Sequence, residues 1–281
     1  MMNVEDLLDF VNLVKNDVGD DLQFAGFSQN SIDFFDSMPS ESLAPDWFAD
    51  NHDLFQEYLK PEFIQLIADL CNILSKIDRG IEDDYSGSRI IGKERRQWGV
   101  NKGEKARITG HHWGALHTKN TDKREDIQFF INLTSYGLRV GIYNGKYGDN
   151  NRWKAFVTRF HDKKDIIFEE YQSLEKLDYD LIFTSNSDYF LHSIGNLHKP
   201  KTADEMYGLV CDNKKLGIIK LISKSEMTST KLLQIVLQCF VETRKLYELL
   251  QPSKFDYYKR ELTNSKCLDR IRQKYEQTRS V

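Results

Sequence analysis

Ile127-Gln-Phe-Phe-Ile-Asn-Leu-Thr134 and Leu138-Arg-Val-Gly-Ile-Tyr-Asn144 stand on either side of Ser135-Tyr136-Gly137. In both runs every second residue is apolar (Ile127, Phe129, Ile131, Leu133; Leu138, Val140, Ile142), and a period of two is that of a strand with one face in a core. A short turn-forming spacer between two such runs predicts a β-hairpin. Working outward, Trp153, Phe156, Val157, Phe160, Ile167, Phe168 and Tyr171 return to helical spacing, while Leu181 to Thr184 and Leu216 to Ile222 read as further strands. Thr202-Ala-Asp-Glu205 fits a capping box that opens a short helix. Leu232, Ile235, Val236, Cys239, Phe240, Leu246, Tyr247 and Leu250 mark an amphipathic helix stopped by Pro252. Upstream, Leu59, Phe63, Leu66, Ile67, Leu70, Ile73, Leu74 and Ile77 give the strongest helical pattern, with Pro61 near its start or marking a kink.

Helices and hairpin strands are therefore segregated along the chain, not strictly alternating. This predicts an α+β fold, a mainly antiparallel sheet flanked by helices. Val4 to Val14 predicts a short helix ended by Gly19, and the acidic, Phe-dotted stretch to about 42 reads as an irregular, partly packed connector. The expected organisation is residues 1–44 as N-terminal helix and connector, 45–252 as the core domain, and 253–281 as a charged C-terminal helix.

With 281 residues, 40% of them hydrophobic, the chain can bury a substantial core. No run approaches the about 18 to 20 apolar residues that cross a bilayer, and Met1 to Asp9 carries acids where a signal peptide needs bases. A cytoplasmic location with no membrane partner is expected. Cys71, Cys211, Cys239 and Cys267 lie far apart with no Cys-x-x-Cys pair, so neither disulfides nor a zinc site are expected. Asn132-Leu-Thr134 matches the glycosylation acceptor pattern, but without secretion it is a strand sequence.

Charge is unevenly distributed. Residues 1–88 hold nineteen Asp/Glu against four Lys/Arg, a formal −15, whereas 89–124 hold ten Lys/Arg against three acids, a formal +7. Such polarity points to an anionic partner or to one part docking on the other. Arg89, Lys93, Arg95, Arg96, Lys102, Lys105, Arg107 and Lys119 are interleaved with Trp98, His111 and Trp113. Cations neutralise phosphates and aromatic rings stack on exposed bases, so both ingredients of nucleic-acid binding are present. The competing structural reading pairs these cations with the acidic N-terminal part of the same chain.

Trp47-Phe-Ala-Asp-Asn-His-Asp-Leu-Phe-Gln-Glu-Tyr58, then Arg89-Ile90, Arg95-Arg96-Gln97-Trp98, Asn101-Lys102 and Lys105, then Phe130-Ile-Asn-Leu133 and Gly137-Leu-Arg-Val-Gly-Ile-Tyr143 occur in that order. In this order they resemble a bacterial family of conserved hypothetical proteins, a domain of unknown function with a Trp-Phe-x-x-Asn opening, a basic Arg-Phe-Ser-x-Asp-Lys signature and a Gly-Leu-x-Val-Gly hairpin. The likeness covers about residues 45 to 172. It departs where Gly103-Glu104 replaces the family's Pro-Tyr. It implies an antiparallel sheet packed by helices with the basic stretch near its edge, and no activity. The hairpin and the helix of about 229 to 250 also resemble, more loosely, the DNA-facing N-terminal halves of modification-dependent restriction proteins of the McrB kind.

Three chemistries compete. The leading expectation is a nucleic-acid-binding protein, restriction- or defence-associated, that uses the 89–119 surface without catalysis or cofactor. The second is a hydrolase or nuclease using His111, His112 or His117. If 107–117 is a strand, His111 and His117 share a face about 20 Å apart and His112 faces away, so no shared metal centre is expected. The third is a protein-interaction module whose acidic N-terminal part meets a basic protein partner. Arg107-x-x-x-x-His112 has the spacing of a helical ribonuclease motif, but Thr109-Gly110 disfavours a helix. Asp212-Asn-Lys214 has the Asp-x-Lys form of metal-dependent nucleases without an evident second acid. There is no Gly-x-Ser-x-Gly, Walker loop or Gly-x-Gly-x-x-Gly, and Gly145-Lys-Tyr-Gly148 reads as a turn. Glu82-Asp83-Asp84 reads as a solvated loop, and the aromatic stripe from Trp153 to Tyr171 as core packing.

Overall fold

The computed structural model describes residues 22–37, 50–77, 80–85, 90–92, 112–119, 127–134, 137–145, 150–182 and 199–251. The helices expected at 4–14 and 253–281 and the turn expected at 145–148 lie outside these, except for Gly145.

Alternating apolar residues build the sheet as the hairpin pattern predicts. Strands β1 (His112–Leu116), β2 (Gln128–Thr134), β3 (Gly137–Gly145), β4 (Asp180–Ile182) and β5 (Lys215–Ile222) form one five-stranded sheet in the order β1-β2-β3-β5-β4. Every neighbouring pair is antiparallel. Thr134 pairs with Gly137, which closes the β2–β3 hairpin. The fold is α+β.

One face of the sheet carries Phe129, Ile131, Leu133, Leu138, Val140, Ile142, Leu181, Leu216 and Ile218, all buried in one cluster with the helices. The helices are α1 (Gln29–Ser37), α2 (Lys60–Ile77), α3 (Asn150–Asp162), α4 (Lys164–Glu175), α5 (Ala203–Asn213), α6 (Lys224–Met227) and α7 (Leu232–Leu250). The apolar stripe of α7 meets β2 and β3, where Tyr247 stacks on Phe129 with ring centroids 4.1 Å apart. From α2, Ile67 and Phe63 press so closely on Gly114 of β1 that a Cβ there would stand 2.6 Å from Ile67. Phe63, Leu66, Ile67 and Leu70 are fully buried. Each such side chain contributes about 1.5 to 3 kcal/mol of transfer free energy. Phe156, Phe160 and Tyr171 are buried in the same core, so the aromatic stripe is packing.

Pro61 stands near the start of its helix, as the second residue of α2. His52–Leu54 leads into a π-helical turn, Phe55–Leu59, in which the Lys60 N–H donates to the carbonyl of Phe55, five residues back. Pro61 has no N–H to complete an ordinary helical ladder, and the wider turn accommodates that gap where α2 begins.

The connector is also more ordered than its composition suggests. Ser28 Oγ accepts from the Ser31 N–H, 3.3 Å, and caps α1. Ile32 and Phe34 then turn inward. Two carboxylates on α2, the buried Asp69 and the half-buried Glu62, hold the segment: Asp69 Oδ2 accepts from the backbone of Gln23 (3.0 Å) and Phe24 (2.8 Å), and Glu62 Oε2 from Ser28 N (3.0 Å) and Ser31 Oγ (2.6 Å). Residues 22–37 thus share the core of the main domain.

Capping differs in one detail. Thr202 Oγ1 accepts from Glu205 N, 3.1 Å, but the Glu205 carboxylate returns to the Lys201 N–H, 2.8 Å, one residue before the box position. A complete capping box occurs instead at Ser223 and Glu226.

Candidate functional site

The second face of the sheet differs in chemistry from the first. By register, Trp113 on β1, Asn132 on β2 and Arg139 on β3 lie side by side in one row. The next row runs Ala115, Phe130, Gly141, Ile219 and Asp180, and beyond it lie Gln128, Tyr143, Gly217 and Ile182. Phe130, Tyr143, Ile182 and Ile219 form a small separate cluster with Trp113 packed against it, and among the described residues it contains no helical side chain. The Phe130 ring centroid lies 5.1 Å from that of Tyr143 and 6.1 Å from that of Trp113.

Polar side chains are buried among these rings. Asn132 is 0% exposed, Gln128 2% and Arg139 4%. Neither Oδ1 nor Nδ2 of Asn132 has a hydrogen-bond partner, and Gln128 Oε1 has none. A buried amide without partners costs about 1 to 3 kcal/mol, so Asn132, with the Gln128 oxygen unpaired on the same face, is unusual. Burial raises the Asp180 carboxyl above its ordinary range, against the opposing pull of Lys199 and Arg139. Desolvation lowers the Lys215 ammonium. This face therefore combines tilted, contacting rings, unpaired amide atoms and partly desolvated charges, a set able to hold a flat, hydrogen-bonding group.

The start of the basic stretch lies on the edge of this sheet. Ile91 bridges Gly114, Gly92 N donates to Trp113 O (2.8 Å), and Ala115 N donates to Ile90 O (3.1 Å). Ile90–Gly92 is therefore held against Trp113–Ala115 of β1. At the other end of β1, Ile81 bridges Thr118 and Glu82 N donates to His117 O, 2.8 Å.

Of the residues expected to contact nucleic acid, Arg89, Lys93, Arg95, Arg96, Trp98, Lys102, Lys105, Arg107 and His111 lie outside the described residues. Trp113 and Lys119 are described, and the fold separates them. Trp113 stands at the start of β1 on the second face, whereas Lys119 follows the end of the strand and pairs with Asp83, 3.0 Å. That pair joins the basic stretch to the acidic N-terminal part, but both partners are more than a third exposed, where an ion pair contributes little.

The catalytic candidates fare less well. His117 is 1% exposed and its Nδ1 donates to the Thr118 carbonyl, 3.0 Å, so it is held as a structural group. His112 is the first described residue of β1, and 107–111 lie outside the described residues. Asp212 and Asn213 end α5, and Lys214 caps it with φ 55°, so Asp212-Asn-Lys214 is a helix terminus and not a strand-borne carboxylate motif. Glu82 is not a solvated loop residue. It is 5% exposed, and its Oε1 accepts from the N–H of Asp83 and of Asp84, 3.2 Å each. Among the described residues no group of three His, Cys, Asp or Glu is placed to hold a metal ion, and no helix is long and apolar enough to cross a membrane.

No family model matches the chain, and no curated protein is significantly similar to it. The row of Asn132 and Arg139 was legible in the sequence only as the outward half of a two-residue period. Nothing local distinguishes a polar strand face that meets water from one that is buried.

Proposed function

We propose that the protein binds nucleic acid through the basic segment that springs from the β1 edge, acting without catalysis of its own. The observation that carries this reading is the clamp between Ile90–Gly92 and Trp113–Ala115. In the sequence Lys93, Arg95, Arg96, Lys102, Lys105 and Arg107, six cations against two acids between 93 and 111, lie between Gly92 and His112, and Trp113 heads a sheet face that also bears Phe130 and Tyr143. Concentrated cations beside stackable rings are what a phosphate backbone with accessible bases requires. Several acids of the N-terminal part support the same reading by being engaged elsewhere. Asp69 and Glu62 hold the backbone of residues 23–28, and Asp36 pairs with Lys224. They are not free to neutralise the basic segment. The likeness of the hairpin to the DNA-facing halves of modification-dependent restriction proteins supports a place in defence against foreign DNA.

Fluorescence anisotropy with labelled single- and double-stranded oligonucleotides, at low and moderate salt, tests this. Binding should weaken steeply with salt, and Arg95→Ala/Arg96→Ala/Lys102→Ala together should lower affinity at least tenfold. Undiminished binding by that triple variant would overturn the assignment.

A further inference from the structure

We propose that the second face of the sheet is a recognition site for a single unstacked planar heterocycle of the nucleobase class, read by the Asn132 carboxamide and flanked by Trp113. Asn132 is fully buried, and both of its polar atoms lack partners. Gln128 lies four residues back on the same strand face, beyond Phe130, 2% exposed, with its own oxygen unpaired. Folding buries polar groups with their hydrogen bonds made, so the wholly unpaired Asn132 amide, with an unpaired Gln128 oxygen about 13 Å along the same face, marks a missing partner.

The surroundings specify that partner's chemistry. A carboxamide presents one acceptor and two donors side by side, which complement a ring edge bearing an adjacent donor and acceptor. Trp113 stands opposite Asn132 on β1 and Phe130 one row away, so rings border the amide on the side where a flat ligand would stack. Arg139 stands opposite Asn132 on β3 and supplies positive charge for an attached phosphate. A peptide or sugar would satisfy the amides but gains little from the rings. An aliphatic ligand would leave the amides unpaired.

This inference deepens the nucleic-acid reading, since such a ring comes either from a base in a single strand or from a free nucleotide. The test uses the full chain and monitors tryptophan fluorescence and thermal midpoint. The probes are the four nucleoside 5′-monophosphates, single-stranded homopolymer oligonucleotides and a duplex. At least one monophosphate or single strand should quench fluorescence and raise the midpoint. Asn132→Leu should lose that affinity at least tenfold while its own midpoint, without ligand, is no lower than wild type. Asn132→Asp, which removes the donors, should weaken binding as well and guards against an Asn132→Leu variant that fails to fold. Equal binding by folded variants and wild type overturns the site, as does absence of response to every probe at millimolar concentration. If monophosphates bind and oligonucleotides do not, the site stands and nucleic-acid binding falls. If oligonucleotides bind Asn132→Leu as wild type but fail with the Arg95/Arg96/Lys102 triple variant, the reverse holds.

Discussion

Gly92 and Trp113 are locked together at the edge of the sheet: the Gly92 N–H donates to the Trp113 carbonyl at 2.8 Å, and the indole covers Gly92 so closely that a Cβ there would stand 2.4 Å from Cε2 and Nε1. The point at which the basic segment departs is thereby tied to the aromatic residue that heads the second-face row. Gly92→Ala should push the indole from its place, changing near-ultraviolet circular dichroism and tryptophan emission, and should cost about 1 to 3 kcal/mol. Gly208 is the contrast. It sits in α5 with nothing within 4 Å of a Cβ, so Gly208→Ala should stabilise by about 0.5 to 1 kcal/mol in urea titration.

Asp69 is the buried anchor between α2 and the segment entering α1. It accepts from Gln23 N, Phe24 N and Gln65 Nε2 (2.8 Å). Asp69→Ala leaves two backbone donors and one amide without their acceptor. A loss of about 3 kcal/mol is expected, since hydrogen bonds to a charged group contribute about 1.5 to 3 kcal/mol and orphaned donors add to that. Limited proteolysis within 22–37 should accelerate in parallel. Unchanged urea midpoints would show that the segment is not held by this carboxylate.

Burial raises the Cys71 thiol to about 12 and the Cys239 thiol to about 11. The acids Asp83, Glu82 and Asp84 assist at Cys71, and at Cys239 the Tyr179 hydroxyl partly opposes the shift. Because the thiolate is the reactive form, both should resist iodoacetamide at pH 8 in the native protein and react on unfolding in urea. Peptide mapping of the labelled sites distinguishes them from Cys211, which is partly exposed.

Asp180 should penalise the folded state at neutral pH. Its carboxyl is raised by burial, with Asp178 and Glu175 adding to the rise and Lys199 and Arg139 opposing it. With the folded value above the unfolded one, its contribution to stability is fully present below the unfolded value and is lost as pH rises through the folded value. Asp180→Asn should therefore raise the thermal midpoint at pH 7, and the difference from wild type should vanish in acid. A variant less stable than wild type at pH 7 would mean that the pairing with Arg139 and Lys199 outweighs desolvation.

Much of the architecture was legible because it follows from local periodicity. The run 127–144 can bury its apolar residues only as a hairpin, and the stripe from Leu232 to Leu250 only as a helix on a core. The misread places were those where polarity stood in for exposure. Glu82 reads as solvated, yet it is buried and accepts the N–H groups of Asp83 and Asp84, and within the connector that reads as irregular Gln29–Ser37 is a helix. Asp212-Asn-Lys214 looked like a strand-borne motif because β5 follows directly, but the chain turns through a left-handed Lys214 before the strand begins.

The amino-acid sequence by itself determined the β2–β3 hairpin, the long helices α2 and α7, the two-residue period that divides each hairpin strand into two faces, and the charge contrast between 1–88 and 89–124. Those properties depend on residues within a few positions of one another. Only the tertiary structure decided that β5 inserts between β3 and β4, that Ile90–Gly92 pairs with β1 beside Trp113, and that the Asn132 amide and the Gln128 oxygen are buried without partners. Burial and partnership depend on contacts between residues far apart in the chain. An asparagine on the polar side of a strand carries no local mark of whether water, protein or a ligand will meet its amide.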